Sequence, residues 1–208
     1  MLLEAISQRT LSSYEQRADA YRDDTSTRER ASDYNLFFAH LAERGPAPYD
    51  LLDLGCGPGR DLAYFREQGH RAVGLDGAAR FVEMAVQASG CPVLHQDLLA
   101  LDLPTRGYDG IFASASLFHV PLPALVGVLA RLHDALRPGG LLFTLNPRGR
   151  DETGWAGDRY CCYLRLSTWQ RFMRAGGFVL CASELRPVGV PRRKQQWRSA
   201  VWQVCSLR

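Results

Sequence analysis

Two aspartates and a glycine-rich turn are the residues of this sequence that are best suited to bind a nucleoside. The turn carries glycine at positions 55, 57 and 59, and Asp53 lies two residues before the first of them. Glycine adopts backbone angles that are closed to other residues and lets a ligand approach the main chain. Asp76 ends the next apolar run, where a carboxylate can accept hydrogen bonds from both hydroxyls of a ribose.

The spacing of the glycines argues against a dinucleotide. A dinucleotide-binding fingerprint reads G-x-G-x-x-G, whereas here the third glycine comes one residue early. Pro58 has no backbone N–H, so the turn lacks a donor of the kind that holds a phosphate. Asp53 would repel a pyrophosphate, but its carboxylate would attract a sulfonium or an ammonium. We therefore expect a positively charged nucleoside as the ligand.

Short apolar runs that alternate with amphipathic stretches must hold these residues in place. Helical periodicity covers residues 1–45, and the Gly-Pro-Ala-Pro segment at 45–48 ends it. Strands separated by helices form a parallel sheet that is covered on both faces. The pattern predicts strands over 50–54, 71–75, 92–95, 108–113 and 141–146, and helices near 61–68, 78–88 and 122–136.

The last part of the sequence follows a different pattern. A helix is expected near 167–175, and strands over 178–183 and 200–207 are joined by a polar turn at 189–195. Two strands joined without a helix are antiparallel. The predicted fold class is therefore α/β, a doubly wound and mostly parallel seven-stranded sheet with an antiparallel C-terminal hairpin. We place an N-terminal helical cap at residues 1–48 and the main domain, as a single compact unit, at 49–208.

Composition limits the classes of protein to consider. The 208 residues are 46% hydrophobic and 23% charged, which is ordinary for one globular domain. No apolar run approaches the ~18 residues that cross a bilayer, and we expect no secretory signal at the N-terminus. The net charge of +3 is too small to indicate a polyanionic partner by itself. We expect neither a membrane nor a nucleic acid as partner, and no signal points to a particular oligomeric state.

The six cysteines form no C-x-x-C pair and are not spaced with histidine like zinc ligands. We therefore predict no metal site and expect reduced thiols in the cytoplasm. Two interpretations of the adjacent Cys161 and Cys162 remain open. They are incidental thiols, or they bind a soft metal or a metalloid.

The segment at 53–59, DLGCGPG, resembles the first motif of the class I S-adenosylmethionine-dependent methyltransferases. The resemblance continues in order along the chain. VGLDG at 73–77 is similar to the second motif, QDL at 96–98 to the adenine site, YDGIFA at 108–113 to the fourth strand, and LRPGG at 136–140 to the turn before the fifth. The chain is similar above all to small bacterial tellurite-resistance-like and other small-molecule methyltransferases. This resemblance implies a Rossmann-like fold, S-adenosyl-L-methionine as cofactor, and a small-molecule substrate.

The resemblance also implies roles for individual residues. Asp76 would hold the ribose, Asp97 would accept from the adenine amino group, and Leu98 would pack on the ring and donate its N–H. The main chain near Ala113 and Ser114 would receive the ammonium of the cofactor. The cofactor-binding set implied in this way is Asp53, Gly55, Cys56, Gly57, Asp76, Gly77, Asp97, Leu98, Ala113 and Ser114.

His119 is the candidate catalytic residue, because it follows the fourth strand, where the methyl group is expected. Methyl transfer from a sulfonium is an in-line displacement, and the enzyme mainly holds the reacting atoms ~3–3.5 Å apart and in line. A base is needed only when the acceptor must lose a proton, and histidine, with a reference pKa of ~6.5, can serve. A structural histidine ahead of Pro121 is the alternative. Phe118 is expected in the core. Trp197 is expected there too, with a contact to the substrate pocket as the alternative.

Two covering segments offer candidates for contacts with the substrate. The N-terminal helix brings Tyr14 and Tyr21, whose ring faces would also attract a sulfonium; helix packing is the alternative role. The segment 147–163 reads as a long polar loop, and loops of this length are often functional. We interpret it as a substrate lid, with Arg159 and Tyr160 as specificity residues.

Three functions are compatible with this sequence. A methyltransferase acting on a small molecule is the first. An RNA methyltransferase, for example of tRNA, would use the basic segment at 192–198, although no RNA-binding module or interleaved aromatic residues accompany it. A cofactor-binding module without turnover, or a dehydrogenase on the related fold, is the third. The sequence does not specify whether the acceptor atom is nitrogen, oxygen, sulfur or a metalloid.

Overall fold

The computed structural model describes residues 2–26 and 30–205. Three helices come first. The elements up to the fifth strand are α1 (Leu2–Gln16), α2 (Ala18–Ser26), α3 (Ala31–Ala42), β1 (Asp50–Leu54), α4 (Arg60–Glu67), β2 (Arg71–Asp76), α5 (Ala79–Ser89), β3 (Val93–His95), β4 (Tyr108–Ser114), α6 (Leu122–Ala135) and β5 (Leu136–Pro147). The chain continues with β6 (Glu152–Ala156), β7 (Arg159–Tyr163), α7 (Leu166–Ala175), β8 (Phe178–Arg186) and β9 (Trp197–Val204).

Seven strands form one sheet in the order β3-β2-β1-β4-β5-β9-β8. The strands from β1 to β5 pair in parallel, and β9 lies antiparallel between β5 and β8. The predicted fold class is confirmed, including the antiparallel C-terminal hairpin. The chain reverses its direction of winding between β1 and β4. In open sheets of this kind the crevice at such a point, beyond the carboxyl ends of the strands, is where ligands bind.

A separate hairpin replaces the long loop that was expected at 147–163. β6 and β7 pair antiparallel, with Trp155 opposite Tyr160. The loop interpretation is wrong because Gly157, with a φ of 63°, allows a two-residue turn between two short strands. Arg159 and Tyr160 therefore stand on a strand.

Two hydrophobic layers cover the sheet. On one face α3 and α4 bring Phe37 and Phe65 against Phe112 and Phe143. The rings of Phe112 and Phe143 stack with their centroids 4.3 Å apart. On the other face α6 and α7 fill the core with leucines and with the buried Trp169. The sheet is thus covered on both sides, as its continuous apolar strands require.

The N-terminal helices divide between the core and the edge of the ligand crevice. α3 packs Phe37 and Leu41 into the core, whereas α1 runs beside β7 and α5. Asp33 of α3 is buried, and its Oδ1 accepts hydrogen bonds from Nε of Arg186 at 2.7 Å and from Oγ of Ser199 at 2.5 Å. This carboxylate ties α3 to β8 and β9.

Residues 2–26 and 30–205 carry neither a membrane-spanning helix nor a metal-binding cluster. No helix in these ranges is long and apolar enough to cross a bilayer. No group of three or more histidine, cysteine or acidic side chains there is arranged to hold a metal ion. All six cysteines are free thiols.

Candidate functional site

The glycine turn leaves β1 and bends sharply under the end of β2. The N–H groups of Gly55 and Cys56 both donate to the carbonyl of Leu75, at 2.7 and 3.0 Å. A Cβ on Gly55 would lie 2.5 Å from Cβ of Ser116, at a φ of 72°. Only glycine tolerates both this backbone angle and this close approach. The turn therefore presents bare main chain at the carboxyl end of the sheet.

Asp76 closes β2 directly beside this turn. Its Oδ2 accepts from the N–H of Gly57 and its Oδ1 from the N–H of Ala78, both at 2.9 Å. The carboxyl is buried, and this burial raises its pKa to about 6. Asp76 thus stabilises the turn and the first turn of α5, while each of its oxygens keeps a lone pair for a further donor.

Asp53 lies beneath the turn with an unsatisfied acceptor. Its side chain is 1% exposed, and Oδ2 has no hydrogen-bond partner. Burial, and then the neighbouring carboxylate of Asp61, raise the pKa of Asp53 well above its usual range. The hydroxyls of Ser114 and Ser116 are also buried without partners. Because buried polar atoms without partners are rare, this group points to a missing donor.

A cavity of about 660 Å³ opens between the turn and α1. We call it the turn cavity. Among the residues predicted for the cofactor, its lining includes Gly55, Gly57, Asp76, Gly77, Asp97 and Leu98. Cys56, Asp53, Ala113 and Ser114 do not line it, and at the end of β4 its wall is formed instead by Ala115 and Ser116.

Asp97 connects the turn cavity to the N-terminal helix. Its Oδ1 accepts from the N–H of Leu99 and from Oγ of Ser7, both at 2.9 Å. Asp97 is therefore also the cap of the short helical turn at Leu98–Ala100, which was the structural alternative to a binding role. Capping does not prevent a binding role, since Asp97 also lines the turn cavity.

A second cavity of about 1040 Å³ adjoins the first. We call it the aromatic cavity, because rings form much of its wall. Tyr14, Tyr21, Ala115 and His119 line both cavities. The residues that line only the aromatic cavity include Arg17, Phe118, Arg159, Cys161, Tyr163 and Trp197.

His119 is held at the junction of the two cavities by two hydrogen bonds. Its Nδ1 lies 2.6 Å from the carbonyl of Tyr160, which can only accept, so Nδ1 carries the proton. Nε2 then accepts from the hydroxyl of Tyr14 at 2.8 Å. Burial, together with the charge of Arg159, lowers the pKa of His119 to about 4, although its bond to the carbonyl of Tyr160 opposes this shift. The imidazole is therefore neutral and fixed in one tautomer.

The sequence of the central part of the chain carries the family signature. Residues 51–140 match the family described as methyltransferase domain, and this range contains the glycine turn, Asp76 and Asp97. This central part of the chain is thus similar to a methyltransferase domain. The resemblance to the class I S-adenosylmethionine-dependent methyltransferases is thereby confirmed.

Two curated relatives share sequence with about half of this chain. Trans-aconitate 2-methyltransferase of Acidovorax sp. (strain JS42) is 36% identical over 110 residues, covering 51% of this chain and 42% of that protein. The 2-heptyl-1-hydroxyquinolin-4(1H)-one methyltransferase of Mycobacteroides abscessus is 34% identical over 106 residues, covering 48% of this chain and 46% of that protein. The matched region thus spans less than half the length of these relatives.

A solved structure extends the similarity of fold to nearly the whole chain. The 1,6-didemethyltoxoflavin-N1-methyltransferase of Burkholderia thailandensis, with 1,6-didemethyltoxoflavin and S-adenosylhomocysteine bound, superposes with a TM-score of 0.81. It covers 98% of this chain and 91% of that one at 22% identity. At this identity the similarity establishes the fold, including the N-terminal helices and the hairpin outside the family match.

Sequence reasoning could not assign every residue of the aromatic cavity. Phe118 belongs to the buried core, as expected, and it also lines the aromatic cavity. Trp197 packs against the core and lines the same cavity, which was the alternative for this residue. Hydrophobic character alone could not distinguish these cases, since an apolar wall and a core use the same side chains. The side chain of Tyr160, in contrast, does not line the cavity and meets Trp155 edge-to-face with centroids 5.7 Å apart. The carbonyl of Tyr160 is the part that reaches the site.

The two adjacent cysteines do not point into one site. Successive side chains of a strand alternate between its faces. Cys161 lines the aromatic cavity, whereas Sγ of Cys162 is buried and donates to the carbonyl of Val120 at 3.3 Å. The geometry thus favours single thiols over a chelating pair.

Proposed function

We propose that this protein transfers a methyl group from S-adenosyl-L-methionine to a small-molecule acceptor. The observation that carries the proposal is the meeting of two cavities at Tyr14, Tyr21, Ala115 and His119. One cavity is bounded by bare main chain and carboxylates, and the other by rings. In-line displacement requires two compounds to be held end to end, and adjoining cavities provide this arrangement.

The turn cavity fits a cationic nucleoside. In this proposal Asp76 accepts from the ribose hydroxyls, Asp97 accepts from the adenine amino group, and Leu98 packs on the ring and donates its N–H. The unpartnered Oδ2 of Asp53 and Oγ of Ser116 are matched in chemistry to the ammonium of the cofactor. We assign the wall at the end of β4 to Ala115 and Ser116, two residues beyond the pair that the resemblance implied. When bound, S-adenosyl-L-methionine supplies a methyl group on a sulfonium. The sulfur of that sulfonium is the activated leaving group, because it departs as a neutral thioether.

The residues at the junction of the cavities and on the hairpin bind and orient the two reactants. Tyr14 and Tyr21 present rings at the junction of the cavities, where a ring face stabilises a cation by ~0.5–2 kcal/mol. The neutral His119 keeps Tyr14 in place through the hydrogen bond to its hydroxyl. We propose Arg159 as a specificity residue, on a hairpin that forms a wall of the site. In this proposal α1 and α2 are the covering part of residues 1–48, and α3 belongs to the core.

The named acceptors of similar proteins support a small acceptor. Trans-aconitate, a hydroxyquinolinone and didemethyltoxoflavin are all small molecules. No specific observation favours an RNA acceptor.

The proposed function is tested by binding and by transfer. Calorimetry with S-adenosylhomocysteine should show binding that Asp53→Asn weakens by about tenfold, the loss expected for one charge-assisted hydrogen bond. The matched control Asp134→Asn changes a carboxylate that is 63% exposed and lies outside both cavities. A labelled methyl group should then pass to a compound in the small-molecule fraction of a cell extract, and not to the tRNA fraction. Label in tRNA alone, or binding of NAD in place of S-adenosylhomocysteine, would refute the proposal.

A further inference from the structure

We infer that the aromatic cavity takes flat aromatic acceptors that enter it as anions, and that Arg159 supplies their positive partner. This inference rests on the proposed function and narrows it to one chemical class of acceptor. Phe118 meets Trp197 edge-to-face with centroids 5.8 Å apart, and Tyr21 and Tyr163 add two further rings to the lining. A flat ring system buries a large area against such a wall and stacks on it with favourable geometry.

Arg159 is a half-buried cation that faces this cavity without an opposite charge. Its Nη1 donates to the hydroxyl of Tyr14 at 3.4 Å, and its guanidinium carbon lies 5.2 Å from the centroid of the Tyr14 ring. In the part of the chain that the structure describes, no carboxylate lies within 4.0 Å of it. Removing a charge from water without pairing it is unfavourable. A ligand carboxylate or similar anion would satisfy the guanidinium through two parallel hydrogen bonds.

The other two charges of the described lining are opposite in sign and leave Arg159 as the charge that selects the ligand. Arg17 and Asp24 are the remaining arginine and carboxylate of the lining, and both are exposed. The innermost charge is therefore the guanidinium of Arg159. The sulfonium of the proposed donor is positive as well, so an acceptor at the junction of the cavities would lie between two positive groups. Coulomb attraction favours an anion there over a neutral compound or an amine.

Neither His119 nor Cys161, which both line the aromatic cavity, is suited to ionise a weakly acidic acceptor. Nε2 of His119 already accepts a hydrogen bond from Tyr14, and burial lowers the pKa of the imidazole to about 4. Burial raises the pKa of the Cys161 thiol, which therefore stays protonated at neutral pH. An acceptor that arrives already ionised needs neither group as a base.

With an ionised acceptor, the bonds and charges of the methyl transfer balance without a further reactant. The lone pair of an ionised oxygen or ring nitrogen forms the new bond to the methyl carbon, while the bond from that carbon to sulfur breaks and its electron pair stays on sulfur. One negative and one positive charge disappear together, and no proton is released. Electrostatic attraction of this kind is strongest where the walls exclude water.

The test compares charge and flatness in a binding experiment on the protein saturated with S-adenosylhomocysteine. Equilibrium dialysis is run with 2-naphthoate, with the neutral 2-naphthamide and with the non-planar decalin-2-carboxylate. We expect 2-naphthoate to bind about tenfold more tightly than either of the other probes, as one charge-assisted contact predicts. Arg159→Gln should remove the preference for the anion and leave the affinity for 2-naphthamide unchanged. Arg159→Lys should restore part of the preference, and Arg165→Gln, which changes an exposed arginine paired with Asp151, should have no effect.

The outcomes of these binding experiments distinguish failure of the proposed function from failure of the inference about the acceptor. Binding of S-adenosylhomocysteine is measured first, and its absence would overturn the proposed function together with the inference. If it binds but 2-naphthoate binds no better than 2-naphthamide, or neither binds, the inference alone is overturned. Retention of the preference in Arg159→Gln with an unchanged melting temperature would overturn the role of Arg159.

Discussion

The hydroxyl of Tyr14 lies 2.8 Å from Nε2 of His119, although 105 positions separate the two residues in the sequence. The other ring nitrogen of His119 is held by the carbonyl of Tyr160, so two distant segments of the chain fix one imidazole. This contact makes α1 a wall of the site. It also explains why His119 is better suited to orienting its neighbours than to removing a proton.

Tyr14→Phe tests this contact directly. The variant keeps the ring but leaves Nε2 of His119 buried without a donor, which costs ~1–3 kcal/mol. We expect a lower free energy of unfolding and a kcat reduced by about tenfold, with little change in the affinity for S-adenosylhomocysteine. Tyr64→Phe is the matched control, because Tyr64 stacks on Tyr34 outside both cavities. Equal effects of the two variants on kcat would contradict the orienting role.

Binding of the cofactor's ammonium should release a proton from Asp53. Burial, and then the carboxylate of Asp61, raise the pKa of this carboxyl, and an approaching cation favours its ionised form. Calorimetry with S-adenosylhomocysteine, in buffers of different ionisation enthalpy, should therefore show proton release. Asp53→Asn should abolish it. 5′-Methylthioadenosine, which has no ammonium, is the control ligand, and equal release with this compound would argue against contact between Asp53 and the ammonium.

The affinity for the nucleoside should depend on pH through Asp76. Burial raises the pKa of this carboxyl to about 6, and ribose hydroxyls donate to its ionised form. Binding of 5′-methylthioadenosine should therefore be constant above the pKa and weaken as the pH falls through 6, by at most about tenfold per unit. Asp76→Asn should bind more weakly and show no such dependence. An affinity that stays constant between pH 7.5 and pH 5 would contradict the assignment of Asp76 to the ribose.

Gly59 should be far less replaceable than a glycine on the surface. It has a φ of 89°, and a Cβ there would lie 2.6 Å from Cα of Ala85, so Gly59→Ala combines a strained angle with a clash against the backbone of α5. We expect a loss in the free energy of unfolding of more than ~3 kcal/mol, measured by urea denaturation. Gly157 also has a positive φ, of 63°, but a Cβ there would meet nothing within 4 Å. Gly157→Ala should therefore lower the free energy of unfolding by only ~1–2 kcal/mol. Equal losses would mean that the turn can move away from α5.

Local patterns in the sequence were sufficient for much of the fold and for part of the site. The strands of the parallel sheet are short apolar runs between turns, and the glycine turn with Asp76 is a local signal, so both could be recognised along the chain. The hairpin at 152–163 was missed because β6 is largely exposed and β7 is a short run of arginine, tyrosine and cysteine without a continuous apolar pattern. The contact of Tyr14 with His119 could not be predicted, because it depends on how α1 lies across the sheet.

The hydrogen bonds of Arg186 and Ser199 to Asp33 show that the folding unit is larger than the region of the family match. The family signature stops at residue 140, but Arg186 and Ser199, which satisfy this carboxylate, come long after it and Asp33 comes before it. A fragment trimmed to the recognisable motif would lose the stacking partner of Phe112 as well as the helix that Asp33 secures. Both ends of the polypeptide are therefore structural supports for the middle, and expression of residues 51–140 alone should yield an unfolded chain.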